Sequence, residues 1–365
     1  MTTATLSSSS RYYRPGLMII GALLILCIFW FTSRYPSLFS KSAHLGQTVP
    51  SMAYSSEVWK ATANTPLWEQ ILYSALNWLA SMKVGMTFGI LFGALLHTVL
   101  QYYPMKIGKN LYLNSLKGAL VGIPMGVCAN CAVPAACGLT RGHGRVEVAL
   151  GFLFSSPNFN PVVVAMTFTA LPLAMSLTKY AILLFIILVV VPSLISWLER
   201  DKSLSILTTE RADMVDYKAV NEALALGRTE KFLPVMREVL TEYVKNVWML
   251  LKPTVTTMVL ASFLAALLII LVPWQQLLAE MTLARLALVS LISVFMPIPI
   301  ALDVMFANQL QQQGIHAGYV MLFAMTLGTF SIVPATYLWR DVSKKLAVSL
   351  FSIFVLIGII VGLVF

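Results

Sequence analysis

The chain has 365 residues, 58% of them hydrophobic and only 11% charged, with a net charge of +10 and a mean hydropathy of +0.81. A soluble domain carries roughly a quarter charged residues, so this composition excludes one and points to an all-α polytopic membrane protein. The basic excess lies mostly in connecting segments and reads as a topology signal; a lipid bilayer is the expected partner and nucleic acid is not.

Residues 16–32 form the first predicted span, behind Arg11 and Arg14. The following Ser33-Arg-Tyr-Pro36 is a poor cleavage site, so this span is expected to stay uncleaved. Residues 33–65 read as a polar loop with a short surface helix. An amphipathic lead-in over 68–82 precedes a second span at 85–103. After a short basic stretch at 104–117, residues 118–139 are apolar but interrupted by glycines, prolines and cysteines, with breaks expected at Pro124 and Pro134. A tight turn at 141–145 contains His143. Residues 146–173 are apolar around Ser155-Ser-Pro-Asn-Phe-Asn-Pro161, with breaks at Pro157 and Pro161. A span at 180–197 leads into the polar insertion 199–245, which reads as a solvated linker. The second half contains apolar segments at 247–272, 283–296 and 300–310, with Pro297-Ile-Pro299 as a break. Segment 319–336 is broken near 331–334, and 346–365 closes the chain. These segments give an N-terminal span with an external segment (1–82), a first membrane repeat (83–198), a cytoplasmic linker (199–246) and a second repeat (247–365).

The repeat rests on one offset. Adding 173 takes Pro124 to Pro297, His143 to His316, Pro161 to Pro334, Ser156 to Thr329 and Asn130 to Asp303. Paired interrupted segments in two halves point to a transporter site. If the N-terminus and segments 104–117, 141–145, 199–245 and 340–345 face the cytoplasm, 18 of the 25 Lys and Arg lie inside. That assignment makes 118–139 a re-entrant hairpin and inverts the second repeat. The expected fold is therefore two inverted repeats with broken or re-entrant helices.

Three of the four cysteines, Cys128, Cys131 and Cys137, fall within ten residues. A C-x-x-C pair holds soft metals, exchanges disulfides or binds a trivalent metalloid. Cys128 and Cys131 are the metal-ligand candidates, and Cys137 adds a third sulfur if the loop folds back. Asn130 lies between the two thiols. Ser156 and Asn160 are polar groups in an apolar segment and need partners, either cargo or unwound backbone. Asp303 is an intramembrane carboxylate, suited to a cation or a coupling proton, although an acid in a helix first turn is also favourable by itself. Glu147 fits a helix start, and His143 and His316 fit matching turns at the membrane edges. Met125, Met296 and Met305 flank the two breaks as packing or soft-metal groups. Cys27 reads as packing within the first span.

The run Ile123-Pro-Met-Gly-Val-Cys-Ala-Asn-Cys-Ala-Val-Pro134, continuing to Gly138 and Gly142, is followed by Gly151-Phe-Leu-Phe-Ser-Ser-Pro-Asn-Phe-Asn-Pro161. Together these resemble the bacterial predicted permeases related to the arsenical permease ArsP, closely over about 85–197 and loosely beyond. The resemblance implies a duplicated helical bundle. It matches Cys128 and Cys131 to a cysteine element, and Pro157, Asn160 and Pro161 to a second element. It also implies efflux of trivalent organoarsenicals or of metals. The second half carries no cysteine at 297–304.

Two functions remain open at this point. One is secondary-active efflux of a thiol-reactive metal or metalloid (Cu, Zn or a trivalent arsenical) across the cytoplasmic membrane. The other is a transmembrane thiol–disulfide relay through Cys128 and Cys131. No nucleotide-binding G-x-x-x-x-G-K-[ST] is present, so neither ATP hydrolysis nor other enzyme activity is expected, and no cofactor. Homo-oligomerisation is left open.

Overall fold

The computed structural model describes residues 13–43, 58–62, 64–103, 108–142, 145–200 and 232–365. Among them every regular element is helical, as a bilayer demands: without water, each backbone N–H and C=O must be paired within its own segment.

Helix α1 (Tyr13–Phe29) passes through a π-helical turn (Trp30–Arg34) into α2 (Tyr35–Ala43). Residues 33–43, expected within a polar loop with a short surface helix, therefore continue the first helix. The widened turn just before Pro36 accommodates the bonds that a proline cannot make, and Leu38 anchors the extension in the core. The lead-in and second span likewise fuse into one 36-residue helix, α3 (Leu67–Tyr102).

Next come α4 (Leu111–Gly122) and α5 (Ala129–Arg141), then α6 (Val146–Asn158) and α7 (Pro161–Ala170), which meet at 50°. α8 (Leu173–Phe185) continues through a π turn (Ile186–Val190) into α9 (Val191–Arg200). The second half begins with the 40-residue α10 (Phe232–Leu271). It proceeds through α11 (Trp274–Leu278), α12 (Leu283–Phe295), α13 (Leu302–Gln312), α14 (Ala317–Thr326) and α15 (Ile332–Tyr337). A π turn (Leu338–Val342) then leads to α16 (Lys344–Val364). Among the described residues, five continuous helical runs are long and apolar enough to span, or six if the bent α6–α7 pair counts as one span. The chain is thus an all-α, multi-pass membrane protein. Exposed Leu23, Trp248, Leu260 and Val364 offer apolar surface to lipid.

The helix continues through Pro134 and Pro157 lies within the last turn of α6. The actual interruptions are residues 123–128, between α4 and α5, and 296–301, between α12 and α13. These two breaks lie 173 residues apart, and the α6–α7 and α14–α15 interruptions fall close to the same spacing. Most of the polar linker, residues 201–231, and His143 lie outside the described residues.

Small residues seat α5 in the core. A Cβ on Gly89 or Gly93 of α3 would collide with the backbone of Cys131 or Pro134, and one on Gly138 with the backbone of Gly93. Such near contact of backbones is how membrane helices gain packing energy without a hydrophobic drive. It also fixes Cys131 against α3.

Candidate functional site

The two breaks meet. Each one leaves helix-end groups unpaired, and in hydrocarbon these must be satisfied. The second-half break exposes carbonyls, and side chains from outside that half bond to three of them. Trp78 Nε1 donates to Pro297 O at 2.7 Å, Asn130 Nδ2 to Ile298 O at 3.2 Å, and Lys41 Nζ to Ile300 O at 2.7 Å. The first-half break is held in turn by Ser156, whose Oγ accepts the Val127 N–H at 3.2 Å. Ser331 Oγ donates to Asn130 Oδ1 at 2.7 Å, and Thr329 Oγ1 to Asn158 Oδ1 at 3.4 Å. The seam between the halves is therefore a buried polar network.

Cys128 is the N-cap residue of α5, and its Sγ accepts the Cys131 N–H at 3.2 Å. This cap geometry turns both sulfurs toward each other, and they are joined as a disulfide. Met82 of α3 completes a sulfur cluster, its Sδ lying 3.7 Å from Cys128 Sγ and 3.8 Å from Cys131 Sγ. All three residues are buried. When the disulfide is reduced, two thiolates and a thioether suit Cu(I) or an As(III) centre. Among the described residues there is no group of three His, Cys, Asp or Glu side chains arranged to hold a metal.

Cys137 does not join this cluster. Six residues along α5 from Cys131, it sits about two turns or ~9 Å away. It faces Asp341 at 3.9 Å, beside the Arg141–Asp341 ion pair of 3.1 Å. Cys27 is exposed in α1.

Asp303 lies in the first turn of α13 and pairs with Lys179 of α8, Nζ to Oδ2 at 2.6 Å, both side chains buried. The carboxylate also lies against Gly328, whose positive φ of 74° suits glycine. Two further cations approach the same seam. Lys41 is within electrostatic reach of Asp303 and of Arg34. Arg34 is buried, with its guanidinium 4.9 Å above the Phe29 ring. Asn160 caps α7 through Oδ1, which accepts the Val162 N–H at 3.1 Å.

The other candidates lie apart or do structural work. Glu147 begins α6 and accepts from Asn114 Nδ2 at 2.9 Å. His316 caps α14 through Nδ1, which accepts the Gly318 N–H at 3.1 Å. Met125 and Met296 are buried in the two breaks.

A family model described as "Predicted permease" (ArsP_1) matches residues 71–365. The chain belongs to this ArsP_1 family of predicted permeases. It is also 25% identical over 154 residues to the UPF0718 protein YraQ of Escherichia coli (strain K12), a match covering 41% of this chain and 42% of that relative. No solved structure matches the chain. Membership of a family described as predicted permeases agrees with the multi-pass helical fold.

Four residues of the seam, Arg34, Lys41, Met82 and Lys179, were not among the sequence candidates. Lys179 had a signal: it is a lone cation within the apolar run Leu173–Phe185, where charge is costly and functional by default. The span expected from the sequence starts at residue 180, one residue past Lys179. Arg34 and Lys41 looked like loop charges until the first helix proved continuous.

Proposed function

We propose that this permease is a secondary-active exporter of a thiol-reactive metal or metalloid, such as Cu, Zn or a trivalent arsenical. Reduced Cys128 and Cys131 bind the cargo, with Met82 as a third soft contact. The protein sits in the cytoplasmic membrane with its N-terminus inside, and the two halves form an inverted repeat that rocks about the seam to alternate access. The buried Lys179–Asp303 pair carries charge balance or the coupling proton.

The sulfur cluster at the meeting point of the two broken segments is the observation that carries this proposal. Thiols are scarce in the chain, four in 365 residues, and two of them converge with the Met82 thioether where the unwound backbone of both halves meets. Transporters place their cargo at such broken-helix junctions.

The test is elemental analysis of cells expressing the wild type, a Cys128→Ser/Cys131→Ser variant of equal abundance, or an empty vector. Lower accumulation of one element in the wild type alone identifies the cargo. No change in Cu, Zn or As overturns soft-cargo export.

A second reading is favoured by one observation: the two sulfurs form a disulfide. A thiol–disulfide relay would take two electrons and two protons from a dithiol donor on one side and pass them to a disulfide acceptor on the other. Against it, Cys27 and Cys137 supply no second pair to hand electrons on. Trapped mixed disulfides at Cys128 with a thioredoxin-type donor would support the relay.

A further inference from the structure

The charge of the seam is unbalanced. Among the described residues Arg34, Lys41 and Lys179 bring three cations, and Asp303 is the one carboxylate set against them. Lys179 is paired with Asp303 and Lys41 rests on a backbone carbonyl. Arg34 has neither: among the described residues no carboxylate pairs with it, and its Nε has no hydrogen-bond acceptor. Stacking on Phe29 offsets only part of the cost of a buried guanidinium. With one of the two reduced cysteines ionised, one cation remains in excess; with both ionised the seam balances, and a cationic soft centre bound between them restores the excess.

A second orphan donor lies beside it. Asn160 is fully buried, and its Nδ2 has no partner. A Cβ on Gly126 would sit 2.7 Å from that Nδ2 and 3.5 Å from Arg34 Cγ. At the other end of the same arginine, a Cβ on Gly85 would sit 3.1 Å from Nη2 and 2.8 Å from Cys131 Sγ. The Arg34 side chain thus runs between two glycines that leave room for it. Its Cγ lies toward the orphan Asn160 Nδ2 and its Nη2 toward the sulfur pair, with the orphan Nε between them. Gly126 has φ of +57°, so the turn bringing Asn160 and Arg34 together suits glycine.

We propose that Arg34 and Asn160 form an anion-binding subsite beside the sulfur pair, and that the cargo carries an oxyanion group next to its soft centre. A planar guanidinium and an amide N–H₂ are the donors that carboxylate, sulfonate or sulfate oxygens take. The cargo then fills two requirements together: its soft atom takes the thiols, and its anionic group neutralises the excess cation and satisfies both orphan donors. Identification of this cargo class rests on the thiol-export proposal; the subsite itself does not.

The experiment uses the full-length reduced protein in lipid nanodiscs. Thermal unfolding is followed with increasing sulfate against chloride at equal ionic strength, which controls for screening; sulfate's general stabilisation grows without saturating and is common to every variant, so the site signal is the saturable part. Sulfate is expected to raise Tm saturably in the wild type and in Cys128→Ser/Cys131→Ser, but not in Arg34→Gln or Asn160→Ala. Arg34→Lys, which keeps the charge and loses the fork, is expected to retain a weakened shift, so loss of folding in Arg34→Gln cannot imitate the result. In parallel, equilibrium dialysis compares trivalent phenylarsenical with its 4-carboxy derivative. The wild type should bind the carboxylated compound roughly tenfold more tightly, and Arg34→Gln should lose that preference. Equal sulfate shifts in the wild type, Arg34→Lys, Arg34→Gln and Asn160→Ala overturn the subsite. Failure of both arsenicals to bind, with the Arg34-dependent sulfate shift intact, overturns the thiol cargo and leaves the subsite standing.

Discussion

The two breaks occupy matching places in the two halves and are built from opposite chemistry. At the 173-residue spacing, Cys128 stands opposite Ala301, Asn130 opposite Asp303 and Cys131 opposite Val304. The first break supplies two sulfurs and a neutral amide. Its helix cap is the Cys128 sulfur itself, so the group that closes α5 is also the candidate ligand. The second break has no cysteine. Its cap residue is an alanine with no side-chain bond to give, and α13 instead carries a carboxylate in its first turn, where the helix dipole favours it. On the proposed reading one half offers soft ligation and the other offers charge, so both halves contribute to the seam although the cysteines lie on one side.

The largest effect that would break this comparison is loss of the charge in the second half. Asp303→Asn leaves Lys179 buried without its partner, and breaking a buried pair from one side costs about 3–5 kcal/mol. Lower yield and a much reduced Tm in detergent are expected. Asp303→Asn combined with Lys179→Met should recover most of the stability but no transport if the pair couples a proton. A double variant no more stable than Asp303→Asn would show that Asp303 stabilises through something other than Lys179.

Asn130, the first-half counterpart of Asp303, is expected to matter less. It bridges Ile298 O and Ser331 Oγ across the seam, and it is neutral. Asn130→Ala strands one buried carbonyl and one hydroxyl, a loss of about 1–2 kcal/mol that thermal unfolding would register. A loss as large as that of Asp303→Asn would erase the proposed division of labour between amide and carboxylate.

Much of the fold was legible because hydrocarbon imposes long apolar helices, and these leave a plain trace in the sequence. The cysteine element, the Ser156 and Asn160 support and the isolated carboxylate of Asp303 were legible for the same reason: each departs from an apolar background. What escaped depended on where a helix stops. Arg34 and Lys41 follow the first apolar run and look like loop residues. They become buried only because the helix continues through a π turn, which composition does not announce. Met82 belongs to a lead-in that proved to be the same helix as the next span. Cys137 was grouped with its neighbours by sequence distance, but a continuous helix through Pro134 carries it two turns away. In each case the error lies in helix continuity at a proline or polar residue, where propensity is overridden by burial of the following turn.

The smallest expected effect is also the one with a difference of sign. Each break contains a left-handed residue, Gly126 at φ 57° in the first and Ala301 at φ 63° in the second. A Cβ in that region costs roughly 1–2 kcal/mol, partly offset by the greater unfolded-state freedom of glycine. Ala301→Gly should therefore stabilise the protein by up to about 1 kcal/mol, seen as a slightly higher Tm with the sulfur pair untouched. Gly126→Ala should destabilise by at least as much, because the new methyl meets Asn160 Nδ2 as well as the strained backbone. If Ala301→Gly also destabilises, the left-handed alanine is held by its fully packed surroundings (it is itself buried), and the strain would belong to the positioning of Asp303 two residues on. Transport measured in Ala301→Gly then separates the cases: relief of idle strain leaves export unchanged, whereas a looser Asp303 lowers it.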